Sequence, residues 1–211
     1  MTTPPPGLRE RKKQATREAL RAAALRLALE HGPDSVRVED IAEAAGVSPR
    51  TYNNYFASRE QAIVSAVTAD REARIAAAVA AGTADVRLAD AVTEAVVEHY
   101  TSPRERELEA LLMTTTRRTA LRDAFLDSPA GIEAPLTAVI AERLDDGGPH
   151  TARVLTASIA AAVRIALEGW LQPAGGSGGL VVPSGSLADH LRAALAPLRP
   201  ALDAAERQPR P

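Results

Sequence analysis

With 211 residues, no cysteine and a net charge of −2, the chain is long enough for a substantial core in one or two domains. It has no disulfide framework, thiolate metal site or thiol nucleophile. Apolar residues, mostly Ala, Leu and Val, make up 45% of it and aromatic ones only 3%. Strong helix formers without β-branched runs bounded by turns point to an all-α protein. The small net charge conceals a basic first segment, in which Arg9, Arg11, Lys12, Lys13, Arg17, Arg21 and Arg26 face only Glu10 and Glu18.

The opening MTTPPPGL lacks the apolar stretch of a signal peptide, so a disordered arm over residues 1–7 and a cytoplasmic location are expected. Leu8–His31 reads as a helix, with Leu20, Ala23, Ala24 and Leu27 as its buried stripe and His31-Gly32-Pro33 as its stop. Arg9, Lys13, Arg17 and Arg21 recur every four residues on one face. Such charges ordinarily meet water; beside a DNA-reading motif they supply phosphate contacts.

That motif occupies residues 35–60, SVRVEDIAEAAGVSPRTYNNYFASRE. Val38, Ile41, Ala42 and Ala45 recur at helical spacing. Gly46 suits the position after a helix where φ is positive. Ser48-Pro49 reads as N-cap and first residue of a second helix over 48–55. Tyr52 and Phe56 face the first helix, leaving Pro49, Arg50, Thr51, Asn53 and Asn54 outward. This is the helix-turn-helix layout. Arg can bond guanine N7 and O6 together, Asn can do the same at adenine N6 and N7, and Thr51, Tyr55 and Arg59 suit phosphates. The plainer reading is a helical hairpin within a bundle.

The stretches VEDIAEAAGVS and TYNNYFASRE, with the basic helix before them, resemble the TetR family of bacterial transcription regulators, specifically over residues 8–67 and loosely beyond. The resemblance implies a three-helix DNA-binding unit, with its arm, over 1–57. It also implies a larger helical ligand-binding and dimerisation domain over 58–211. Under it Pro49, Arg50, Asn53 and Asn54 face base edges, Thr51, Tyr55 and Arg59 face phosphates, and Tyr52 and Phe56 are structural. Lys13, Arg17, Arg37 and Ser48 complete the candidate DNA-binding set. The chain departs from the family at Asn53, where an aromatic that meets phosphate is usual, and at Arg37, where Thr is frequent.

Residues 59–79 continue as a helix with Ile63 and Val67 inward, a lever between the two domains that Gly82-Thr83 ends. Leu88, Ala91, Val92, Ala95, Val96 and His99 trace the next apolar face. Ser102-Pro103 opens a helix through Thr116, followed by 117–126 and a break at Asp127-Ser128-Pro129. Ile132, Leu136, Val139, Ile140 and Leu144 form a further stripe, kinked at Pro135. After a turn at 145–149, residues 151–171 are the most apolar, with Arg164 the only full charge between Val154 and Ala166. That helix is buried on several sides and too interrupted to span a membrane. Residues 172–185, rich in Gly, Pro and Ser, read as a flexible loop, and 187–198 as a last amphipathic helix.

Catalysis finds no support. His31, His99, His150 and His190 are scattered without a ligand pair, and residues 175–179 have neither a preceding strand nor a Lys. No metal and no cofactor are expected. Surplus apolar surface on the last two long helices predicts a homodimer, with Leu155, Ile159, Leu187, Leu191 and Leu195 in the interface. An effector pocket is expected between Leu88 and Trp170, shaped by His99, Tyr100, Met113, Phe125 and Trp170, with Arg117 and Arg164 supplying charge. Such a chamber suits an apolar or anionic aliphatic molecule; few aromatics argue against a cage for flat cations. Against this, Arg164 can pair with Glu168, His99 can be a hydrogen-bonded core residue and Trp170 can be dimer core.

These readings predict a homodimeric, ligand-responsive repressor that binds a pseudo-palindromic operator in double-stranded DNA and is released by a small molecule. The rival is a helical interaction or ligand-binding module without DNA binding, which leaves Arg50, Asn53 and Asn54 without a reason to share an exposed helix.

Overall fold

Helical apolar spacing, interrupted by Gly, Pro and N-capping Ser, produces a chain built almost wholly of helices. The computed structural model describes residues 7–83, 85–103, 119–144, 149–173, 181–183 and 185–207. The order is α1 (Leu8–His31), α2 (Val38–Ala44), α3 (Pro49–Tyr52), α4 (Arg59–Ala81), α5 (Leu88–Tyr100), α6 (Thr119–Asp127), a 3₁₀ turn (Ser128–Ile132) and α7 (Glu133–Leu144). There follow α8 (Pro149–Trp170), α9 (Leu187–Leu195), a 3₁₀ turn (Ala196–Leu198) and α10 (Arg199–Glu206). Between α8 and α9 the backbone pairs as a short antiparallel ladder of β1 (Leu171–Pro173) and β2 (Val181–Pro183), with Gln172 opposite Val182. The stretch read as a flexible loop is thus bracketed by two paired strands.

The first three helices form the small N-terminal unit: α1 packs on α2, and α2 on α3. The central strut is α4, which meets α1 on one side and α5, α6 and α7 on the other. Its N-cap Ser58 accepts a hydrogen bond from Gln61 N at 3.1 Å, so the strut starts immediately after the reading motif. The kink expected at Pro135 lies earlier, in the 3₁₀ turn at Ser128–Ile132. Pro135 itself sits in the first turn of α7, where a missing N–H removes no intrahelical bond. No helix among the described residues is long and apolar enough to cross a membrane.

The expected dimer residues require correction. Leu155, Ile159, Leu187, Leu191 and Leu195 are buried within the single chain, where α8 and α9 pack together. An apolar stripe at helical spacing reports that a face is covered, not which chain covers it. The outward face of α8 carries a different set: Val154 is 63% and Ile165 62% exposed, with Ala157 and Ala161 exposed between them.

A carboxylate near the chain's end ties the larger domain together. Glu206 Oε2 accepts from Leu88 N at 2.9 Å, satisfying one of the donors that every helix leaves unpaired in its first turn. Its Oε1 accepts from Arg143 Nε at 3.0 Å and Nη2 at 2.8 Å, and Arg143 Nη2 also reaches Val86 O. Arg199 pairs with Asp90 at 2.7 Å beside this knot. One short helix thereby pins the start of α5 to the end of α7. Glu206→Ala leaves a half-buried guanidinium and a helix N-terminus without their shared acceptor. It should cost about 1–3 kcal/mol, read as a lower denaturation midpoint with unchanged helix content.

Candidate nucleic-acid interface

The turn between α2 and α3 follows from glycine geometry. Gly46, at φ 69°, donates to Glu43 O at 2.9 Å, and Val47 N reaches Ala42 O at 2.9 Å. These two bonds satisfy carbonyls that the end of α2 would otherwise leave open. Ser48 then caps α3: its Oγ accepts from Thr51 N at 3.1 Å and lies 3.0 Å from Thr51 Oγ1. The second helix is shorter than the 48–55 expected, closing at Tyr52, and residues 53–55 continue as turn. There Asn54 N bonds Thr51 O and Tyr55 N bonds Tyr52 O.

Four residues of helix cannot orient themselves, and the neighbouring side chains supply the support. Tyr52 is fully buried, its ring 5.8 Å from that of buried Phe56, and its hydroxyl donates to Ser58 O at 2.8 Å. Burial, with the Glu60 carboxylate adding to it, pushes this phenol well above its usual range, so it stays a donor. From α1, Arg17 Nη2 donates to Tyr55 O at 3.3 Å while its guanidinium lies 5.4 Å from the Phe56 ring centroid.

Pro49, Arg50, Asn53 and Asn54 are exposed together, with Ser48 exposed beside them and Thr51 and Tyr55 half-buried. Lys13 on α1 and Arg37, the residue before α2, are exposed. The Arg37 backbone N–H is taken by Asp40 at 3.3 Å. Arg59, expected at a phosphate, is engaged within the chain. Its Nη1 donates to Asp34 O at 3.2 Å and to Val36 O, and its Nε to Glu60 Oε1 at 2.7 Å. It is a brace between α4 and the loop before α2. Arg17 and Arg59 share a missed signal: an Arg that precedes or follows a motif can bond backbone carbonyls, which sequence spacing does not distinguish from phosphate.

The residues expected to form an effector chamber are dispersed in role. Tyr100 is buried, with the guanidinium carbon of buried Arg71 4.0 Å from its ring centroid. Phe125 is buried and Trp170 half-buried against the core. His99 is half-buried; burial lowers its pKa, against Glu98 and with the nearby Arg74 charge. Arg164 is corrected: it lies on the exposed face of α8, bonded to Glu168 at 2.9 Å and to Asp127. Met113 and Arg117 fall outside the described residues.

The bracing role of Arg59 is checked by Arg59→Ala. It should lower the unfolding free energy by about 1–3 kcal/mol by stripping two carbonyls of their charged donor, while the salt dependence of DNA binding keeps its slope. A slope flattened by a full unit would return Arg59 to the phosphate contacts.

A sequence profile described as bacterial regulatory proteins, tetR family, matches residues 20–66. The chain is similar to the HTH-type transcriptional regulator TcmR of Streptomyces glaucescens, at 46% identity over 72 residues, 34% of this chain and 32% of that protein's length. It is also similar to the HTH-type transcriptional regulator BetI of Rhizobium meliloti (strain 1021), at 31% identity over 149 residues, 62% of this chain and 71% of that one. Among solved structures, the TetR-family transcriptional repressor FadR of Thermus thermophilus, in complex with lauroyl-CoA, aligns at a TM-score of 0.49 and 20% identity. The alignment covers 92% of this chain and 96% of that one. With a capped helix-turn-helix in the matched segment and a relative aligned over most of its own length, the chain belongs to the tetR family of bacterial regulatory proteins.

Proposed function

We propose that the protein represses transcription as a homodimer on a pseudo-palindromic operator and is released by a small molecule. The observation that carries the DNA-reading part is the group Pro49, Arg50, Asn53 and Asn54, exposed together on a turn braced from behind by Tyr52, Phe56 and Arg17. Arg50 is proposed to read guanine, Asn53 and Asn54 adenine, and Lys13, Arg37, Ser48, Thr51 and Tyr55 to position the unit on phosphates. A helical interaction module without DNA binding gives that group no purpose. Because α4 meets α1 on one side and α5, α6 and α7 on the other, a ligand that tilts it alters the separation of the two readers.

The dimer contact is proposed on the outward face of α8, through Val154, Ala157, Ala161 and Ile165, with exposed Ala193 on α9 and Ala196 just after it. Small residues along such a face let two helices approach closely. The effector is proposed to be an apolar or anionic aliphatic compound. Arg164, already paired on the surface, is not its anchor.

Two measurements separate these parts. In gel shifts against fragments containing inverted repeats, Arg50→Ala should lose about 1–3 kcal/mol and relax preference at one position per half-site. Lys13→Ala should weaken all sequences alike and flatten the salt dependence by about one unit. Unchanged affinity and consensus for Arg50→Ala would remove the proposed recognition turn. By sedimentation, Ile165→Asp should give folded monomers with weakened operator binding, since its carboxylate would have to be buried on association. Leu191→Asp, placed in the core of one chain, should instead lower the melting temperature. A dimer that survives Ile165→Asp would place the interface elsewhere.

A further inference from the structure

Between the N-terminal unit and the larger domain lies a cleft of about 670 Å³. Arg17 and Arg21 of α1, with Phe56 and Val64, form one wall; Ala124, Ser128 and Ala134 belong to the other. Three features of this cleft bear on what it could hold.

The first is charge. Arg17 and Arg21 are one helical turn apart and both half-buried. Burial, and then the charge of Arg17, lower the pKa of Arg21, with Glu72 acting against them. Glu72 also lines the cleft, and burial raises its own pKa in spite of Arg21 and a hydrogen bond from Thr68. Glu18 and Asp70 also act on Arg21, whose Nε donates to Ser65 Oγ at 2.8 Å. The two guanidiniums stand side by side on one wall, with Glu72 as the carboxylate that lines the cleft near them. The second feature is unmet hydrogen bonding. Arg17 Nε and Ser128 Oγ are buried and have no partner among the described residues, although buried polar groups nearly always find one. They belong to opposite walls. The third is shape. At Gly131 the 3₁₀ turn approaches α4 so closely that a Cβ there would collide with the Glu72 carboxylate. Elsewhere the lining mixes small side chains, such as Ala120, Ala124 and Ala134, with polar ones, such as Ser65 and Gln61, which leaves room.

We propose that this cleft binds a small monocarboxylate with a short aliphatic tail. The carboxylate sits between Arg17 and Arg21; Arg17 Nε–H and the Ser128 hydroxyl, both buried in the empty cleft, turn to donate to it. The tail runs along Phe56, Val64, Ala124 and Ala134. At the rim the exposed Asp123 disfavours dianions, while Asp127 is occupied by Arg164. Arg17 also holds Tyr55 O, at the end of the recognition turn. An anion that draws on Arg17 from one wall and Ser128 from the other ties the reader's support to the orientation of the larger domain. This assignment of the effector site rests on the regulator reading given above. Linkage then requires ligand and operator to change each other's affinity by the same factor.

The test is calorimetry on the full-length protein with butanoate, hexanoate and octanoate, using hexylamine and adipate as controls, alongside gel shifts with and without hexanoate. The carboxylates should tighten about fourfold per added CH₂ until the cleft is full, with hexylamine undetectable and adipate weaker than hexanoate. Arg21→Gln should weaken hexanoate at least tenfold, and Ala134→Trp, which fills the cleft, should remove it. Binding that is equal in wild type and both variants, or as tight for hexylamine as for hexanoate, overturns the site. Operator binding with no carboxylate binding also overturns the site and leaves the regulator reading standing. Carboxylate binding that obeys the variants, without any DNA binding, supports the site and removes the regulator reading.

Discussion

A helix of four residues has no stability of its own, since isolated helices below about 12–15 residues are marginal in water. The presentation of Arg50, Asn53 and Asn54 therefore depends on one buried contact, Tyr52 against Phe56, with the Tyr52 hydroxyl bonded to Ser58 O. That hydrogen bond joins the reading element to the N-cap of α4. The Ser48 cap and the Gly46 turn fix where α3 begins; Arg17 fixes where the turn after it ends. Two of these devices are local and Arg17 comes from another helix; together they replace the length that α3 lacks.

The larger domain relies on single side chains in the same way, here across long sequence separations. The start of α5 has no side-chain cap of its own and takes the Glu206 carboxylate from the far end of the chain. Arg143 neutralises that carboxylate and bonds Val86 O in the preceding loop. Because α4 touches both domains, the orientation of the reader is set by packing along a single strut. Under the proposed mechanism, displacement at one end of the strut is felt at the other, since close-packed interiors deform little.

Punctuation and periodicity made much of this legible in the sequence. Gly46, the Ser48-Pro49 pair and the apolar spacing of α1, α2 and α4 have local causes, and local causes are written in adjacent residues. Roles that depend on three-dimensional neighbours were not legible. Arg59 and Arg17 sit where a DNA contact would be expected, yet they bond carbonyls, because a guanidinium donates to a carbonyl oxygen as readily as to a phosphate oxygen. Leu155, Ile159, Leu187, Leu191 and Leu195 showed the apolar pattern of a dimer face and are core of one chain. Arg164 stood in the most apolar segment, but on its outer side, where Glu168 and Asp127 meet it. The cleft between the domains had no sequence signature at all, since its walls come from segments some hundred residues apart.

The early close of α3 has a consequence for divergence among duplicated copies of such a regulator. Asn53 and Asn54 lie in the turn after the helix, with exposed side chains. Exchanges there escape the helix-propensity differences of up to about 0.7 kcal/mol that separate ordinary residues inside a helix. Nor do they touch the Tyr52–Phe56 contact that holds the element. With base reading assigned to Asn53 and Asn54 as proposed, structural duty and sequence reading fall to different residues, so base preference can change without disturbing the scaffold. A lineage with this arrangement can explore new operators by changes that are nearly neutral for folding.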